Sequence, residues 1–168
     1  MPQILVTGPQ RSGTTITSRI LAHDLGLTYI DETEYEPTDL PSNCVVQAPL
    51  ALKNIVELSY YHPKLHFVYV IRPTADIKAS MERIQWYKDM IDEPSFYETY
   101  INNCRLIWCA QKESLSDDRW SEIEYSSLTD HPLFLTDRTD FTVRQWQKDK
   151  PVGPRTWKHD RYHEFIES

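Results

Sequence analysis

The sequence predicts an α/β protein of three layers, with helices on both faces of a central parallel sheet. Three observations carry this. Short apolar segments of β type alternate with helix-periodic ones through most of the chain, the pattern of β–α–β units with right-handed crossovers. Residues 66–71, HFVYVI, are almost continuously apolar, as a strand buried on both faces of a parallel sheet is. Near the start, an apolar run ends in a loop opened by Gly8 and closed by Gly13, and a helical pattern follows at once. The chain has four glycines, and two of them bracket this loop.

In order, residues 4–7 read as a buried strand. Residues 14–25 place Ile16, Ile20, Leu21 and Leu25 on one helical face, and Gly26 suits the helix C-terminus. A short strand over 27–30 runs into an acidic loop with Asp31, Glu32, Glu34 and Glu36 before Pro37. Residues 44–48 form a third strand stopped by Pro49, and 50–61 are helix-like. The 66–71 strand ends at Arg72-Pro73-Thr74, where Thr74 is the expected N-cap and Asp76 complements the dipole of the next helix. A helix over 95–113 repeats apolar residues at three- and four-residue steps from Phe96 to Trp108. Residues 120–125 read as a last strand, followed by a turn to Pro132. The tail reads as loops with one short helix over 140–148. With no repeat, linker or low-complexity segment, residues 1–168 are expected to form one domain.

Composition narrows the partners. The 168 residues are 40% hydrophobic and 26% charged, and no apolar run approaches the ~18 residues of a membrane span. The first strand begins at Ile4, which argues against a signal peptide. Cys44, Cys104 and Cys109 form no Cys-x-x-Cys pair and read as packing residues of a reducing compartment, so a cytoplasmic location is expected. A net charge of −7 disfavours nucleic acid as partner. An anionic ligand must therefore meet a locally positive pocket.

The Gly8–Gly13 loop offers one. The spacing Gly-x-x-x-x-Gly after a strand and before a helix is that of a phosphate-binding P-loop, whose backbone N–H groups and helix dipole point at the anion. Nucleotide hydrolases need lysine next, at the β/γ-phosphates. Here that position is Thr14, and the only cation in the loop is Arg11.

Three separated stretches resemble one family. Pro9-Gln10-Arg11-Ser12-Gly13-Thr14-Thr15 is similar to the 5′-phosphosulfate loop of sulfotransferases that use 3′-phosphoadenosine 5′-phosphosulfate (PAPS). Arg72, at a strand end, and Ser80, eight residues on in the following helix, resemble that family's 3′-phosphate pair. Glu124-Tyr125-Ser126-Ser127-Leu128 followed by Pro132 is similar to its Tyr-Glu-Asp-Leu segment. The matches span residues 4–132 in the right order.

The resemblance implies a P-loop-type fold and sulfuryl transfer from PAPS to a hydroxyl or amine acceptor, a small molecule or a glycan, with adenosine 3′,5′-bisphosphate as product. Arg11, Ser12, Gly13, Thr14 and Thr15 would hold the phosphosulfate, Arg72 and Ser80 the 3′-phosphate, and Tyr125 the adenine. In the tail, Arg155 lies in a loose echo of the family's basic C-terminal segment and would reach the 3′-phosphate. No metal is expected, since the sulfuryl group carries a single negative charge. The chain departs from the family at Gln47-Ala48-Pro49, where many relatives carry lysine or histidine. Some bacterial members of the family use a glutamate in the loop after the second strand, and the resemblance then implies Glu32 as base, with Glu34 next. The competing expectations are a P-loop kinase-like nucleotide enzyme, which lacks its lysine here, and a non-catalytic nucleotide-binding relative. The acceptor and the oligomeric state are not readable.

Overall fold

The computed structural model describes residues 2–86 and 95–134. Five strands form one sheet: β1 (Gln3–Thr7), β2 (Thr28–Ile30), β3 (Cys44–Gln47), β4 (Leu65–Ile71) and β5 (Trp120–Glu124). Their spatial order is β2-β3-β1-β4-β5, and every neighbouring pair is parallel. The helices are α1 (Thr14–Leu25), α2 (Ile55–Tyr61), α3 (Thr74–Arg83) and α4 (Phe96–Lys112). None of the described helices is long and apolar enough to cross a membrane.

Strand alternation sorts the core into two layers. Leu5, Val46, Phe67 and Tyr69 face one way, packed with Leu52, Ile55, Ile77, Met81, Ile101 and Trp108 from the helices after β3. Ile4, Val6, Val45, Val68 and Val70 face the other way, against Ala22 and Leu21 of α1. The sheet thus has helices on both faces and β1 at its centre. With a glycine loop joining β1 to α1, this is a three-layer α/β/α architecture with a P-loop-like strand–loop–helix unit, and the expected fold class holds.

Local chemistry sets several boundaries. Gly26 closes α1 in the left-handed region, φ 65°, and Leu27 N–H donates to the Ala22 carbonyl at 2.8 Å. That bond takes Leu27 out of the expected strand. The helix expected over 50–61 divides into a 3-10 turn (Pro49–Asn54) and α2. Pro49 lacks the N–H of a regular turn, and Ala51 N–H reaches back to the Ala48 carbonyl at 3.1 Å. Thr74 is not the N-cap of α3. Pro73 holds that place with no side-chain cap, and the Thr74 hydroxyl accepts a 2.7 Å bond from Arg105 Nη1 on α4. Tyr125 leaves the last strand for a 3-10 turn, Tyr125–Leu128. The helix expected over 140–148 lies outside the described residues.

Candidate functional site

The strands all end on one side of the sheet, where open α/β sheets place their ligands. The loop from Gly8 to Gly13 leaves β1 there, between β3 and β4. Gly13 has φ 102°, and a β-carbon on it would lie 2.4 Å from the Tyr125 ring. Gly8, φ 148°, would put one 2.9 Å from Ser12 Oγ. Both positions therefore demand glycine on conformation and on space. Arg11 also has positive φ, 67°, although it carries a full side chain. Such a residue stores about 1–2 kcal/mol of strain, and here it is the loop's only cation. The first turn of α1 buries polar residues by returning hydroxyl bonds to the backbone. Thr17 Oγ1 donates to the Gly13 carbonyl at 2.8 Å and Ser18 Oγ to that of Thr14 at 2.7 Å.

The structure brings the two predicted phosphate motifs into contact. Arg11 Nε donates to Ser80 Oγ at 3.1 Å, and Arg72 Nη1 donates to the Arg11 carbonyl at 2.8 Å. The Arg72 guanidinium lies over the Tyr125 ring, 4.1 Å from its centroid. Tyr125 is thus pressed between Gly13 and Arg72. A third guanidinium joins them: Arg83 Nη2 is 3.4 Å from Ser80 Oγ. Among the described residues, none of these three arginines has a carboxylate within ion-pair distance. Burial first, then the charges of Arg83 and Arg72, lowers the Arg11 pKa from its ordinary value. Guanidinium stays charged across any accessible pH, so the repulsion is carried by the fold.

Two buried polar atoms of this cluster, Ser12 Oγ and Arg72 Nε, meet no hydrogen-bond partner among the described residues. Buried donors are almost always satisfied. An uncompensated positive cluster with orphaned donors, beside a loop of inward N–H groups, has the chemistry of an anion site.

The remaining predicted residues fall on either side of this cluster. The Thr14 hydroxyl is buried and faces Gln47 Nε2 at 3.5 Å. Gln47 Oε1 in turn lies 3.0 Å from the Tyr29 hydroxyl, itself 3.2 Å from Asp31 Oδ2. Gln47 thus stands buried at the end of β3, between Thr14 and Tyr29. Thr15 is exposed. Glu32 is half-buried, with Oε2 out of contact with solvent, and lines a cavity of about 300 Å³ that begins at Ala48. Glu34 is exposed and is absent from that lining. Of the two expected bases, only Glu32 lines this cavity. Arg155 lies outside the described residues. His62 and His66 bond to the Pro37 and Asp118 carbonyls at the far end of β4 from the loop.

Sequence reasoning missed Arg83 and Arg105. Arg83 stands one helical turn past Ser80, a spacing that places both on one face of α3. Arg105 donates to the Arg72 carbonyl at 2.9 Å as well as to Thr74, and so fixes the β4–α3 corner from α4. Nothing in the sequence near Arg72 announces it.

No protein-family profile matches the chain, and no curated protein does. Among solved structures, a gluconokinase from Sinorhizobium meliloti 1021 is similar at 17% identity and a TM-score of 0.44, over 82% of this chain and 87% of that one. A similarity at that level carries no functional argument, so function rests on the chain's own site.

Proposed function

We propose that residues 1–168 form one sulfotransferase domain that moves a sulfuryl group from PAPS to a hydroxyl or amine acceptor. The observation that supports it is the cluster of Arg11 and Arg83 on Ser80 with Arg72 on the Arg11 carbonyl, without an acidic counterpart among the described residues. A nucleotide with phosphate at both ends of its ribose supplies the missing negative charge twice. The loop amides of 8–13 with Ser12, Thr14 and Thr15 take the 5′-phosphosulfate. Arg72, Ser80 and Arg83 take the 3′-phosphate, with Arg155 as a further cation, and Tyr125 lies near the adenine. Arg11 bridges the two groups.

In the transfer, the acceptor oxygen attacks sulfur. The bond from sulfur to the 5′-phosphate oxygen breaks, and its electron pair leaves with the phosphate. Arg11, the loop amides and the Thr14 hydroxyl stabilise that developing charge, which makes catalysis a matter of position and electrostatics. Glu32 accepts the acceptor's proton, and Glu34 is the fallback base. Titration calorimetry with adenosine 3′,5′-bisphosphate and AMP tests the reading. Preference for the bisphosphate by tenfold or more is expected, and equal affinity overturns it.

The architecture also favours a second reading, a P-loop kinase-like nucleotide enzyme. That chemistry asks for a lysine at the β/γ-phosphates, and Thr14 stands in its place. A thermal-shift comparison of ATP–Mg²⁺ with adenosine 3′,5′-bisphosphate separates the two. Binding of the bisphosphate with no turnover of any acceptor would favour the non-catalytic relative.

A further inference from the structure

The far end of α1 carries a cluster that the anion site does not use. His23 and Asp24 stand in the last turn of the helix, and His131 reaches them from the bend beyond the Tyr125–Leu128 turn. Asp24 Oδ1 lies 3.0 Å from His23 Nδ1 and 3.0 Å from His131 Nε2. Among the described residues these two imidazoles are the ion partners of that carboxylate. The rings meet edge to face with centroids 6.0 Å apart, and one donor atom from each of the three residues falls within 4.8 Å of the others. A zinc ion with tetrahedral bonds of ~2.0–2.1 Å holds neighbouring ligand atoms about 3.3 Å apart. Both N···O pairs already stand near that separation.

We propose that His23, Asp24 and His131 bind a divalent transition metal, Zn²⁺ in the first place, with water completing the shell. Two imidazoles and a carboxylate form a donor set that suits zinc. The C-terminal end of a helix carries partial negative charge that favours a cation, and Asp24 adds a full one. Two protons have to move. His131 Nδ1 accepts the Leu133 N–H at 3.1 Å, so the neutral ring keeps its proton on Nε2, facing Asp24. Metal at Nε2 sends that proton through water to Nδ1, and Leu133 N–H gives up its bond. In His23 the proton passes the other way, from Nδ1 to Nε2. Beside the cluster, buried Phe134 packs on Ile16 and Ile20 of α1 and meets the Tyr125 ring at 5.4 Å. The metal thus pins the 125–134 segment to the helix that opens at the anion loop. It takes no part in the transfer, and its binding does not rest on the sulfotransferase reading.

The full chain, stripped with a chelator, is titrated with Zn²⁺ alone by calorimetry, with the histidine ring-nitrogen shifts read alongside. A single ion is expected to bind, the His131 proton to pass from Nε2 to Nδ1, and the denaturation midpoint to rise with zinc concentration. His23 is exposed, so His23→Ala removes a ligand without disturbing the core. It should weaken binding by about tenfold or more, since even an outer-shell partner is worth ~10–100-fold, and Asp24→Asn should do the same. Cys109→Ser removes the exposed thiol as a rival ligand and should bind zinc as the wild type does. No saturable binding, full affinity in either His23→Ala or Asp24→Asn, loss of binding in Cys109→Ser, or an unmoved His131 proton overturns the proposal.

Discussion

Two single residues decide how the anion site is built. Gly13 is held by backbone and by space at once. Gly13→Ala is expected to cost about 1–3 kcal/mol from its positive φ alone, with a further loss from the ring 2.4 Å away. Denaturant melts of Gly13→Ala, Tyr125→Ala and the double variant check this. The double variant should be more stable than the sum of the singles predicts, because removing the ring removes the collision and leaves only the φ cost. Additive losses would mean that ring and loop do not touch. Arg83 is the second case. Arg83→Gln should lower the preference for adenosine 3′,5′-bisphosphate over AMP by about ten- to a hundredfold, as the loss of a charged hydrogen bond of about 1.5–3 kcal/mol would. Competition calorimetry reads that ratio, and an unchanged value removes Arg83 from the 3′-phosphate set.

At the scale of elements, α4 is the brace. Arg105 ties it to the Arg72 carbonyl and Thr74 at the end of β4, and Trp108 and Lys112 tie it to β5 through Glu122 Oε1 at 2.8 and 2.7 Å. Arg105→Met is expected to lower stability by about 1–3 kcal/mol and to weaken bisphosphate binding, since the backbone that carries Arg72 loses its support. A melt together with a nucleotide titration tests both, and a fall in stability without a fall in affinity would limit Arg105 to structure. Burial pushes the Glu122 carboxyl up, but the bonds from Lys112 and Trp108 outweigh it, and its pKa lies below the ordinary glutamate value. A depressed carboxyl contributes stability above its unfolded pKa, about 4.3, and loses it as pH falls through the lower folded value. Acid unfolding of Glu122→Gln should accordingly be flatter than wild type below about pH 4.3.

The same elements show what could be read from the chain alone. β1, β4 and the loop were legible because continuous apolar runs and paired glycines are local signals of buried strands and left-handed turns. Thr74 was misread although it follows the capping rule, because its hydroxyl is engaged by an arginine 31 positions away. Arg105 was invisible for the same reason. Ser80 and Arg83 were one turn apart and readable as a pair, yet only Ser80 was singled out, since the family resemblance stopped there. Leu27 and Tyr125 were placed in strands on apolarity, and the bonds closing α1 and opening the last 3-10 turn took them out.

For the molecule as a whole, a net charge of −7 surrounds a pocket of three arginines, so the field that draws the nucleotide is short in range. Binding to the folded state alone stabilises it by mass action. At a hundredfold excess over Kd, adenosine 3′,5′-bisphosphate should raise stability by about 2.7 kcal/mol. In Arg72→Ala the same nucleotide concentration should raise it by far less. Parallel denaturant melts measure both, and an equal gain in the variant would place the nucleotide elsewhere.

The central position of β1 has a consequence in time. It leaves the ribosome before both of its neighbours, since Gln3 pairs with Cys44 on one side and Leu65 on the other. At about 5–20 residues per second, the strand IleLeuValThr waits for several seconds before its second neighbour has been synthesised. The segment that ends in the anion-binding loop is therefore made before either strand that covers its edges, which makes a nascent chain, rather than the finished protein, the form in which those edges are open to aggregation.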